Sequence, residues 1–101
     1  MAGGINWPMV AIQVAGAILD LHQWGDYQTV EICGRSCNVK IKGRMHNWKW
    51  VWDGQCECDG IVGSSRHYKS QNGAAKHAMQ DYVTQAGQAG LIPADQIRRY
   101  C

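Results

Sequence analysis

Residues 37 to 58 constrain the fold of this chain more than any other segment. Two cysteines, Cys37 and Cys58, bracket the segment, and between them Lys40, Lys42 and Lys49 alternate with Val39, Ile41, Trp48, Trp50 and Trp52. A period of two belongs to strands with one buried face, so the segment reads as a two-faced hairpin. If Val39, Ile41 and the three tryptophans face a helix-covered core, the lysines must face water. From Arg35 to Trp52 there are five cations (Arg35, Lys40, Lys42, Arg44 and Lys49) and no acid. Residues 1 to 34 show the reverse, with three acids (Asp20, Asp26 and Glu31) and no Lys or Arg. The formal net charge of +2 therefore conceals a concentrated cationic block.

The length of 101 residues is that of one domain, and 46% hydrophobic with 18% charged residues excludes a disordered chain. The longest apolar stretch, Trp7 to Leu21, is interrupted by Gln13 and Asp20 and falls short of the about 20 residues a membrane span needs. It also lacks a positive n-region, so it reads as structure rather than as a signal peptide. Met1 is then expected to open a mature secreted chain whose signal has been removed. Five cysteines in so short a chain favour an oxidising, extracellular setting.

Periodicity and punctuation predict an α+β fold: an N-terminal helix, a four-stranded antiparallel sheet, and two C-terminal helices packed on one face of the sheet. Residues 8 to 22 read as a helix opened by Pro8, apolar on nearly every side and so expected deep against the sheet. Gly25-Asp26 breaks it. Tyr27 to Cys33 reads as a strand, Gly34-Arg35-Ser36 as a three-residue turn, and Cys37 to Lys42 as the second strand. Gly43 to Asn47 turns again into a third strand, Trp48 to Asp53, and Ile61 to Tyr68 supplies a fourth. Asn72 is a candidate N-cap for a helix with apolar residues at Ala75, Ala78, Met79, Tyr82, Val83 and Ala86. Gly87 and Gly90 are expected to end it, and Pro93 to start a short last helix to about Tyr100.

Several chemistries are conceivable for the polar and sulfur residues. Cys33 and Cys37 flank a turn, and Cys56 and Cys58 share a strand face. A Cys37–Cys58 bridge would contribute about 3 kcal/mol by closing its loop. The rival is a four-thiolate zinc site, but Cys-x-Cys departs from the usual spacing of structural zinc ligands, so no metal is expected. His22, His46, His67 and His77 fall on separate elements with no nucleophile motif, and Gly60 to Gly63 is too short a glycine pattern for a phosphate loop. No catalytic residue and no cofactor is expected. The cations carry the binding signal: each one near an anionic membrane surface contributes about 1 kcal/mol. Arg44 and His46 sit at the hairpin tip, where a phosphate would be met first.

With these elements in place, the chain resembles the anti-lipopolysaccharide factors of horseshoe crabs and crustaceans, a group that includes the scygonadins. The resemblance covers nearly the whole chain from about Trp7. It rests on Gly25-Asp26-Tyr27-Gln28, on Cys37-NVKIK, on Lys49-Trp50 with Gly54 and Cys58, on Ser70-Gln-Asn-Gly73 with AAKHAMQDYVTQA, and on Gly90-Leu91-Ile92. It implies a helix, a four-stranded antiparallel sheet and further helices, with one disulfide between Cys37 and Cys58 and a lipid A-binding loop between them. Cys33, Cys56 and Cys101 lie outside the two-cysteine pattern; Cys33 and Cys56 are the candidate second pair.

The function so implied is that of a secreted, extracellular antimicrobial protein of innate immunity. It would bind bacterial lipopolysaccharide or another anionic membrane surface through Lys40, Lys42, Arg44, His46, Trp48 and Lys49. Arg66, Lys69 and Lys76 are the next candidates. The protein is expected to be a monomer or a dimer disulfide-linked through Cys101. Two other readings compete. One is a secreted protein-interaction module that kept the fold without the lipid site. The other is a double-stranded RNA-binding domain, suggested by Lys69 and Lys76 near the start of the main helix. No nucleic-acid partner is expected, because the cysteine count and aromatic third strand oppose the RNA reading.

Overall fold

The computed structural model describes residues 5–20 and 23–92. The chain runs α1 (Trp7–Leu19), β1 (Tyr27–Ile32), β2 (Arg35–His46), β3 (Lys49–Cys58), β4 (Ile61–Tyr68) and α2 (Gln71–Gln88). The four strands form one sheet in the order β1-β2-β3-β4, with every neighbour antiparallel. The α+β class and the four-stranded sheet agree with the sequence reading. A last helix from Pro93 and the state of Cys101 lie outside the described residues.

All three strand connections are two-residue turns with both residues at positive φ: Cys33-Gly34, Asn47-Trp48 and Asp59-Gly60. These are the turns whose twist matches that of the flanking strands. They correct two expectations. The first turn is Cys33-Gly34 rather than Gly34 to Ser36. Gly43 to Asn47 is no turn either, because β2 continues through Gly43 to His46, paired throughout with β3. The tight turns let the β2–β3 ladder run much longer than the sequence reading allowed.

One face of the sheet is covered by α2, whose Ala74, Ala75, Ala78, Met79, Tyr82, Val83 and Ala86 are all buried. Opposite them lie Val39, Ile41 and Cys56. The apposition is close enough that a Cβ on Gly63 would stand 2.3 Å from the Tyr82 backbone nitrogen. Ser65 donates its hydroxyl to the Ala74 carbonyl at 2.7 Å, satisfying a buried polar group. The side of α2 also shields the sheet edge: the Asp81 carboxylate accepts from the Ser64 backbone N–H, and the Gln85 amide donates to the Val62 carbonyl.

Ser70, not Asn72, caps α2, its hydroxyl accepting from the Gly73 N–H at 3.0 Å. The helix also passes through Gly87, against which the Trp7 ring packs, and ends only before Gly90. Asn6 caps α1 through Met9 N–H, with Pro8 in the first turn. The expectation that α1 lies deep against the sheet fails. α2 already occupies the core face, so α1 packs mainly on α2, buries Ala11, Val14 and Ala15, and leaves Met9 and Ile12 more than half exposed.

Cys37 and Cys58 form a disulfide, with Cα atoms 4.6 Å apart, one step beyond the Asn38–Glu57 pair of the ladder. The candidate Cys33–Cys56 pair is not formed. Cys56 is a buried free thiol opposite Val39, whereas Cys33 sits in the β1–β2 turn and is itself disulfide-bonded. The Cys37–Cys58 bridge stands between the two positions. Burial in an apolar setting pushes the Cys56 thiol up to about 12. The sulfurs of Cys37, Cys56 and Cys58 lie within 4.8 Å of one another, but two of them are joined, and Cys33 is not in the cluster.

Candidate anion-binding face

The β2–β3 ladder outruns its neighbours. Pairing with β1 begins at Tyr27–Lys40 and pairing with β4 stops at Trp52–Tyr68, so residues 42–46 and 49–51 are paired only with each other. The result is a free ribbon on a molecule measuring 48 × 23 × 23 Å.

The tryptophans do not form the core expected of them. Trp52 is half-buried, Trp50 is 57% exposed, and Trp48 is 95% exposed in the tip turn. Trp50 and Trp52 do point to the core side, as the alternation required. But the first turn of α2 ends over Gly54, where a Cβ would stand 2.6 Å from the Ala74 carbonyl oxygen. Beyond that point α2 no longer covers this face of the strand, although Val51 on the opposite face is buried. The two indoles stack on each other instead, with ring centroids 6.3 Å apart, across the bare backbone of Gly43.

Among the described residues no helix packs on the other sheet face. In an antiparallel ladder directly paired residues share a face, so Lys40, Lys42, Arg44 and His46 lie with Gln55, Asp53, Val51 and Lys49 respectively. The four predicted cations therefore do share one face. Lys49, however, is opposite His46 at the tip, away from Lys40 and Lys42. The fifth cation of the block, Arg35, lies at the other end of β2, joined to the Asp59 carboxylate and the Leu91 carbonyl. The His46 ring packs against that of His67 at a tilt, ring centroids 4.7 Å apart.

Asp53 moderates the charge of this face. Its carboxylate accepts from Arg44 Nε at 2.8 Å and from the His67 backbone N–H at 3.1 Å. The Arg44 hydrogen bond holds the Asp53 carboxyl below its ordinary value. Among the described residues neither Lys40 nor Lys42 enters a salt bridge.

Lys40, Lys42 and Arg44 line a concave groove of about 610 Å³ together with Arg66 of β4. Arg66 ranked behind the hairpin in the sequence reading, yet it lines the groove together with the hairpin cations. Tyr27, Gln55 and Ser64 also line it and were missed. Lys69 and Lys76 do not line the groove. Of the four histidines, His22 falls outside the described residues and His77 stacks on Tyr68.

This architecture agrees with known proteins. The family model described as Anti-lipopolysaccharide factor/Scygonadin matches residues 2–101. The anti-lipopolysaccharide factor of Tachypleus tridentatus is 29% identical over 97% of this chain and 94% of its own length. That of Limulus polyphemus is 27% identical over 93% and 92%. The fold matches the solution structure of a shrimp antilipopolysaccharide factor, described with its possible lipid A binding site. The TM-score is 0.76 at 26% identity, over 99% of this chain and 95% of that one. The chain belongs to the anti-lipopolysaccharide factor/scygonadin family.

Proposed function

We propose that this protein is a secreted antimicrobial factor of innate immunity that binds bacterial lipopolysaccharide through the phosphates of lipid A. The observation that carries this reading is the clustering of Lys40, Lys42, Arg44 and Arg66 around one groove on a sheet face that, among the described residues, no helix covers. Such a cluster repels itself when empty, and a multivalent anion relieves the repulsion while gaining charge-assisted hydrogen bonds. The paired strands fix the cations before the ligand arrives, so binding adds little ordering cost. Lys49, His46 and Trp48 stand at the rim, on the ribbon that meets a membrane first. The exposed indoles suit the interface between headgroups and acyl chains.

Titration with lipopolysaccharide at two salt concentrations tests the reading, because phosphate-driven binding weakens as salt rises. Replacing Lys40, Lys42 and Lys49 together by Gln is expected to reduce binding at least tenfold at low salt, from about 1 kcal/mol per cation. Folding should be nearly unaffected, because exposed charges contribute little to stability. Binding that ignores both salt and the triple substitution would place the site elsewhere.

A further inference from the structure

The histidines are scattered along the sequence, but the fold brings two of them into contact. His46 ends β2 and His67 lies in β4, strands that are not neighbours in the sheet. Their rings nevertheless pack with centroids 4.7 Å apart, and both residues are exposed. A register shift in the β3–β4 ladder makes the contact. Between the Gly54–Ser65 and Trp52–Tyr68 pairs, Asp53 alone stands against both Arg66 and His67. A bulge of this kind re-aims a side chain. Strict alternation from the buried Ser65 would send His67 to the core side, and the extra residue sends it to the outer face instead. The backbone shows the strain: His67 sits at φ 65, in the left-handed region that a residue with a Cβ avoids. Its N–H donates to the Asp53 carboxylate at 3.1 Å. Such strain persists only where the surrounding structure enforces it, and it clusters at functional sites.

No burial compensates that strain, since His67 is exposed. The donor geometry gives it a reason. Two imidazoles bound to one tetrahedral ion at about 2.0–2.1 Å hold their ring centres about 5 Å apart, close to the separation found. Both side chains are exposed, so small rotations suffice to converge one nitrogen from each. On His46 the nitrogen is already prepared. The Asn47 amide nitrogen lies 3.3 Å from His46 Nε2 and, being only a donor, leaves that ring nitrogen its lone pair. Turned over, the same amide would present its oxygen as a third donor, and water would complete the shell. We infer that His46 and His67 bind one divalent transition-metal ion, of the zinc and copper class. Imidazole suits these ions, whereas calcium and magnesium require oxygen ligands. The surroundings select in the same direction. Lys49 is paired with His46, and Arg66 precedes His67, so a cation held by charge alone is repelled. An ion held through nitrogen lone pairs tolerates that setting, with the Asp53 carboxylate on the His67 N–H as counter-charge. The metal site is independent of the lipopolysaccharide reading and survives its failure.

Calorimetric titration of the intact, oxidised chain with Zn2+ at neutral pH, without chelator or reductant, reads the site directly. Parent protein is compared with His46→Gln, with His67→Asn, a change the left-handed backbone accepts, and with His77→Gln, whose parent ring stacks on Tyr68. Parent protein should bind one ion per chain. His46→Gln and His67→Asn should each weaken binding at least about tenfold, the least that even the loss of an outer-shell partner costs. His77→Gln should bind as parent does. Cu2+ should bind more tightly than Zn2+, following the order of divalent affinities, and excess Ca2+ should displace neither. Saturating Zn2+ should raise the thermal midpoint of parent protein and leave that of His46→Gln/His67→Asn unchanged. Near-UV circular dichroism of the metal-free variants checks the fold, and His46→Gln, at the end of the free ribbon, tests the site even where His67→Asn disturbs the bulge. The site is overturned if parent protein takes up no stoichiometric zinc, or if the double variant binds zinc as parent does. It is equally overturned if His77→Gln loses as much affinity as His46→Gln, or if Ca2+ displaces the zinc.

Discussion

The two halves of the β2–β3 ladder have opposite fates although one continuous pairing joins them. In the near half, Val39, Ile41, Gly54 and Cys56 lie beneath α2 and are buried, and the Cys37–Cys58 bridge locks the end. In the far half, Met45, Trp48 and Trp50 are the larger and greasier residues, yet each is more than half exposed. Side-chain size does not decide which half becomes core. The reach of α2 does, because burial needs a second layer, and the helix begins only above Gly54. The near half is the stabilising half; the far half, Val51 apart, presents its chemistry on both faces.

Four substitutions probe that division. Removing the bridge as Cys37→Ala/Cys58→Ala is expected to cost about 3 kcal/mol, because the bond closes a loop between residues 21 apart in sequence. Chemical denaturation reads the loss, and an unchanged midpoint would mean that the near half owes little to its cross-link. Gly63→Ala should cost about 2 kcal/mol by forcing α2 away from the sheet. A loss near zero would contradict the close apposition of helix and strand. Trp50→Ala is the sharpest contrast. A buried tryptophan would cost about 3–5 kcal/mol on truncation, whereas here the expected loss is below about 1 kcal/mol because the ring is already wet. A core-sized loss would erase the distinction between the halves.

Asp53→Asn should act on binding more than on stability. It releases Arg44, so affinity for anionic vesicles is expected to rise about two- to fourfold, consistent with an exposed pair of less than about 1 kcal/mol. In the parent, the Arg44 hydrogen bond lowers the Asp53 pKa. The pair's small contribution is therefore complete at neutral pH and lost as the carboxyl protonates below about pH 4. The Asn variant should lack that acid-side loss, which thermal midpoints measured from pH 6 to pH 2 would show.

The near half also makes a chemical prediction. With its thiol pushed up to about 12 and the side chain fully buried, Cys56 should resist alkylation at pH 8 in native protein and react fully in denaturant. Mass spectrometry of the Cys56 peptide checks it.

The strand alternation was legible wherever one face meets α2: Val39 and Ile41 are core, and the spacing from Ala75 to Ala86 gave the buried side of that helix. The tryptophans were misread for a definite reason. Alternation identifies a face, and Trp50 and Trp52 occupy the right one, but nothing in the strand records where the covering helix stops. The groove was hidden by turn length. Asp59-Gly60 is a strong two-residue hairpin signal, and counting outward from it pairs Gln55 with Ser64 at once. Cys33-Gly34 and Asn47-Trp48 give weaker signals, so the register that sets Tyr27 beside Lys40 and carries Lys49 to the tip had to come from the structure. Arg35 was counted with the hairpin cations because linear proximity says nothing of which end of a long strand a residue occupies.

The tip turn has one more consequence. Trp48 sits at φ 67, a left-handed conformation that costs a residue with a Cβ about 1–2 kcal/mol relative to the right-handed one. Glycine would occupy the same geometry without that cost, and the indole recovers none of it by burial. Trp48→Gly is therefore expected to raise the thermal midpoint by a few degrees, on the scale of about 1 kcal/mol for a domain this size. The loop is thus less stable than its own backbone permits, and part of that deficit falls on a residue whose side chain is almost fully exposed. If Trp48→Gly also weakens binding to lipopolysaccharide, the tip is a place where contact with the target has been retained at the expense of the fold.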